Sequence, residues 1–141
     1  MIDVENMIMD RMVKGLAESY PSANVTSAFV EEEAIFPTVT VRQKNSIPLR
    51  RMNTADSAEN YATIIIEVTV YSSRQDKSQS ECRKVIGLAD GIMQEIGFRR
   101  IYLSENFNLS RTLTRRYARY EAIIRAPMEI GEDTVYEVYR R

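Results

Sequence analysis

Between residues 61 and 72 the chain alternates. Ala62, Ile64, Ile66, Val68 and Val70 fall on one side, and Thr63, Ile65, Glu67, Thr69 and Tyr71 on the other. A period of two is the strand repeat. One apolar face and one half-polar face predict a strand in an antiparallel sheet covered on one side, with Ile65 and Tyr71 left to meet a partner. Residues 113–126 repeat the pattern: Ala118, Tyr120, Ala122 and Ile124 face inward, and Arg115, Tyr117, Arg119, Glu121, Ile123 and Arg125 outward. In between, residues 77–96 take the helical period, with Cys82, Val85, Ala89, Ile92 and Ile96 in one stripe. Asp76 or Ser78 can cap that helix, and Gly97 stands where a helix end favours left-handed backbone. Residues 98–103 read as a further strand.

Upstream, residues 3–19 predict a helix capped by Asp3, with Met9, Val13, Leu16 and Tyr20 on one face and Pro21 as the stop. Two short strands follow, at 24–30 and 36–42, separated by the solvated turn Glu31, Glu32, Glu33. Pro37 sets the second at an edge or a terminus. Residues 43–58 show no period. A loop of that length is usually functional or disordered, and its Ile47, Leu49, Arg50, Arg51 and Met52 suit a binding arm. The tail 127–141 starts at Pro127 and is expected to be an arm that docks elsewhere. The pattern as a whole predicts an α+β protein: one mostly antiparallel four- to five-stranded sheet, with two helices packed on one face. Residues 1–126 form a single domain in this reading, and 127–141 a C-terminal arm or tail.

Size and composition agree: 141 residues, 44% hydrophobic and 28% charged, suit one globular domain. The net charge of −1 hides a split. Over 1–36, seven acids against two bases leave −5, and over 99–125, seven arginines against two glutamates leave +5. Such a split suits head-to-tail self-association; two solvated faces that merely balance would look the same. Cys82 is the single cysteine, so no intrachain disulfide forms, and a small buried hydrophobe is its expected role. Asp3, Glu5 and Asp10 interrupt the first ten residues, and no stretch approaches the roughly 20 apolar residues of a membrane span. The protein is expected to be made in the cytoplasm, to stay soluble and to have no membrane partner.

The chemistry on offer is narrow. There is no histidine, which removes the commonest general base and metal ligand. No phosphate-binding glycine motif is present. The acidic run Glu31–Glu33 puts neighbouring side chains on different sides of an extended stretch. No catalytic residue, cofactor or metal is expected, and the chain is not expected to be an enzyme. Arg115, Tyr117 and Arg119 alternate on one face, as on platforms for single-stranded nucleic acid. Glu67 and Glu121 on the same face would repel phosphate, so pairing of these arginines with Glu67, Glu121 or a neighbour's acids is the favoured reading.

The passage NYATIIIEVTVYSSRQDKSQSECRKVIGLADGIMQEIGFRRIYLSENFNLSRTLTRRYARYEAII resembles the tail terminator, or tail completion, proteins of tailed bacteriophages and phage tail-like particles, also called tail-to-head joining proteins. The features that carry the resemblance are the strand ending in a V-Y-S turn, the polar linker and the long helix ending in Ile96, Gly97, Phe98. A later strand contributes Arg119, Tyr120, Glu121 and Ala122. The likeness spans about residues 1–126, most clearly 59–126, and does not extend past Pro127.

It implies a structural virion protein in the tail or neck, assembled in the host cytoplasm. It further implies a homo-hexameric ring that caps the tail tube and joins the tail to the head connector, with the tube protein and a neck protein as partners and DNA passing through the lumen. A related neck or minor capsid protein shares the same build. Candidate interface or lumen residues are Arg50, Arg51, Met52, Ile65, Tyr71, Arg115, Tyr117 and Arg119. From another class, a small nucleic-acid-binding domain would use the same arginine and tyrosine face.

Overall fold

The computed structural model describes residues 3–21, 23–27, 37–48, 61–73, 77–105, 107–108, 113–130 and 133–139. Along them run α1 (Glu5–Leu16), β1 (Asn24–Thr26), β2 (Thr38–Pro48), β3 (Tyr61–Ser72), α2 (Ser78–Ile96), β4 (Arg99–Leu103), β5 (Phe107–Asn108), β6 (Thr114–Ile130) and β7 (Asp133–Tyr139). The strands join in one sheet of order β1-β2-β3-β6-β4, and β5 and β7 pair with β6 as well. All pairs are antiparallel except β1 with β2. The architecture is the expected α+β one: a five-stranded path with two helices on one face. Because β6 is antiparallel to both neighbours, β3 and β4 point the same way, and α2 crosses over β6 to connect them.

The alternation in β3 and β6 has the predicted consequence. Ala62, Ile64, Ile66, Val68 and Val70 are buried, as are Ala118, Tyr120, Ala122 and Ile124. They share one core with Cys82, Val85, Ala89, Ile92 and Ile96 of α2. Large aliphatic side chains of this kind contribute about 1.5–3 kcal/mol each on burial, so this layer dominates stability. Gly97 ends α2 with φ of 115°, and the Phe98 N–H reaches back to the Met93 carbonyl at 2.9 Å. That is the Schellman end, which any side chain at the left-handed position would strain. At the other end of α2, Ser78 does not cap the helix. Its hydroxyl bonds Thr114 at 2.8 Å, beside a buried bond of 2.8 Å from Ser72 Oγ to Glu81 Oε1.

Three elements differ from the sequence reading. In α1 the buried row is Val4, Ile8, Met12 and Leu16, whereas Val13 is 53% exposed. Two four-residue rows compete on this short helix, and packing against α2 and β2 selects one. Asp3 still serves the first turn, accepting the Glu5 N–H at 3.0 Å.

The second difference lies in β2, which runs on to Pro48 and absorbs the start of the expected 43–58 loop. Pairing with β3 from Ala62 to Tyr71 satisfies its backbone, and a register shift between Gln43 and Asn45 accommodates the irregular pattern. The rest of that loop, 49–58, lies outside the described residues, as do Glu31–Glu33.

The third is at the C-terminus, where β6 continues past Pro127 to Ile130 and turns into β7. Proline has no N–H for a ladder, and Pro127 falls in the register shift between Arg125 and Met128. Most of the predicted arm is therefore hairpin.

Candidate interface on the open sheet face

The face of the sheet turned away from the helices takes the odd-numbered residues of β3 and β6. Glu67 is cross-strand from Arg119, Ile65 from Glu121, Thr69 from Tyr117 and Tyr71 from Arg115. Directly opposed positions bring side chains within reach of one another. Arg119 Nε donates to Glu67 Oε2 at 3.0 Å, and Lys44 Nζ lies 3.7 Å from Glu67 Oε1. Glu121 pairs with Arg99 of β4. Each such exposed pair contributes only about 0–1 kcal/mol, but together they settle where the charge goes. Of the expected partners, Glu67 takes Arg119, and Glu121 takes an arginine from a different strand.

Tyr117 forms the aromatic centre. Its ring lies 5.6 Å from that of Tyr102, and the guanidinium carbons of Arg115 and Arg119 stand 5.8 and 5.7 Å from its centroid. These distances are within cation–π range. A hydrogen bond with Tyr117 raises the Tyr102 hydroxyl above the ordinary tyrosine value, keeping it protonated. Ile65, Tyr71, Arg115 and Tyr117 are half-buried and Arg119 is exposed. Thr38, Thr40 and Thr69 are buried, so the accessible part of the face is the Glu67–Tyr102–Glu121 side.

The structure thus brings together Ile65, Tyr71, Arg115, Tyr117 and Arg119, while Arg50, Arg51 and Met52 lie outside the described residues. Tyr102 and Arg99 escaped the sequence reading. The ladder pairs Arg100 with Tyr120 and then Tyr102 with Arg119, skipping Ile101. That irregularity puts Arg100 on the helix side and Tyr102 on the open side, although simple alternation would give both the same side. Ile101 and Tyr102 are among the exposed large hydrophobic residues. No group of three or more Cys, Asp or Glu among the described residues is placed to hold a metal ion. No helix among them is long and apolar enough to cross a membrane. Compared with protein-family models and with curated protein sequences, the chain matches none.

Proposed function

We propose that this protein is a structural ring subunit, the terminator of a phage or phage-like tail, acting as a homo-hexamer that caps the tail tube and meets the head connector. The observation that carries the reading is the open sheet face. Both helices fill one side of the sheet, and the other side presents Tyr102 and Tyr117 among paired charges. Aromatic side chains with a polar end, ringed by charges that fix orientation, are the composition of a protein contact.

The β6–β7 hairpin supports the same reading. Strand β3 begins at Tyr61 opposite Arg125, so 126–130 run beyond it, flanked only by β7 among the described residues. An extension of this kind suits reaching a neighbour. The action would be passive: a ring occupying the end of the tube leaves further tube subunits no interface.

The second reading, a single-strand nucleic-acid platform, draws on the Tyr102–Tyr117 pair with its flanking arginines. Against it, Glu67 and Glu121 already neutralise Arg119 and Arg99. Light scattering on the purified protein separates the two. A hexamer free of nucleic acid is expected, and a monomer that binds single strands in a salt-sensitive way would replace the ring with the platform.

A further inference from the structure

On the helix side of the sheet, α2, β4 and β6 enclose a cleft of about 230 Å³ lined by Arg83, Gly87, Asp90, Arg100, Arg116 and Tyr120, among others. We propose that this cleft is a binding site for a small phosphate-type oxyanion. The site owes nothing to the open face or to the ring reading.

Three arginines and one carboxylate line the cleft, and that carboxylate is already satisfied. Asp90 Oδ1 accepts the Tyr120 hydroxyl at 2.9 Å and Arg100 at 3.5 Å, and Oδ2 accepts Gln94 Nε2 at 2.8 Å. Burial and the bond to Asp90 raise the Tyr120 hydroxyl well above its ordinary value, so it remains a donor. Arg116 commits Nε to the Ser104 carbonyl at 3.0 Å, which orients its fork. Neither Arg116 nor Arg83 is in an ion pair among the described residues. The surplus of two positive charges therefore sits on two guanidinium groups at one cleft, the arrangement that favours bidentate capture of an oxyanion. The volume is below the roughly 300–1,000 Å³ of sites for drug-sized ligands, which limits the occupant to something small. Gly87 contributes to the opening, because a Cβ there would meet nothing within 4 Å.

The test is titration of the full chain with inorganic phosphate, following backbone amide resonances, Gly87 in particular, against sodium chloride at matched ionic strength. Saturable shifts centred on Gly87, Arg100 and Arg116 are expected with phosphate alone. Arg83→Gln, at an exposed helix position, should weaken the phosphate Kd about tenfold. Gly87→Leu should close the cleft and abolish saturation, and its unchanged spectrum elsewhere will show that the fold is intact. Phosphate shifts no larger than those of chloride, or equal affinity in both variants, would overturn the proposal. So would shifts at these residues that grow with protein concentration and resist phosphate, since the occupant would then be another copy's carboxylate. Phosphate esters occur free and along nucleic acid. Displacement of phosphate by a single-stranded oligonucleotide would assign the backbone as the source, and lack of displacement a free phosphate; either supports the cleft as the site.

Discussion

Cys82 is fully buried, with its sulfur 3.4 Å from the Thr114 carbonyl and 3.7 Å from that of Val70. Burial, reinforced by the nearby Glu81 charge and opposed by Arg116, pushes the thiol from 9.0 up to about 12. The folded state thus holds a proton that the unfolded state releases from about pH 9. Stability from this group is complete below that point and lost as pH rises toward 12, at about 1.4 kcal/mol per pH unit. Urea unfolding at pH 9 and pH 10 should show this loss in the native chain, and Cys82→Ala should lose about 1 kcal/mol less over that interval, because the unfolded thiol is only half ionised at its start. Equal losses in both chains would mean that the thiol titrates normally. The raised Tyr120 is common to both and does not disturb the comparison.

At the scale of elements, the joint between α1 and α2 is tight at one point. A Cβ on Gly15 would stand 2.4 Å from Ile92 Cδ1 and 2.8 Å from Cγ1. Ordinarily Gly→Ala within a helix gains about 0.5–1 kcal/mol. Here overpacking, typically about 1–3 kcal/mol, should win, and Gly15→Ala should lower the unfolding midpoint. Ile92→Val removes the Cδ1 atom, so Gly15→Ala should be milder in that background. A double-mutant cycle measures the coupling, and additive effects would show that the end of the Ile92 side chain turns aside from the new methyl group without cost.

For the whole molecule the charge split and the open face bear on assembly. Within the chain Arg119 is held by Glu67, whereas Tyr117 is half-buried with the exposed Tyr102 beside it. If the ring forms by a head-to-tail contact between the basic 99–125 region and a neighbour's acidic 1–36 region, charge orients the subunits and aromatic area holds them. Tyr117→Ala should then weaken the oligomer more than Arg119→Ala, and high salt should slow assembly more than it dissolves a finished ring. Sedimentation across a salt series checks both. An arginine variant that falls to monomer while the tyrosine variant stays assembled would make the contact electrostatic.

The sequence by itself determined the layers of this protein. Alternation over β3 and β6 and one apolar stripe on α2 set which side is buried, and Gly97 marks the helix end, where the backbone turns left-handed. Membership of Ile65, Tyr71, Arg115, Tyr117 and Arg119 in one face followed from the same period of two. Tertiary structure decided what local pattern leaves open. On α1 two apolar rows were equally good, and the choice of Ile8 and Met12 over Val13 came from the surface they meet. The lengths of β2 and β6 came from neighbouring backbone that needed hydrogen-bond partners, which outweighed an aperiodic stretch in one and a proline in the other. Tyr102 joined Tyr117, and Arg100 the cleft, through one register irregularity at Ile101. A shift of one residue moves a side chain to the opposite face, and it arises from pairing between strands remote in sequence.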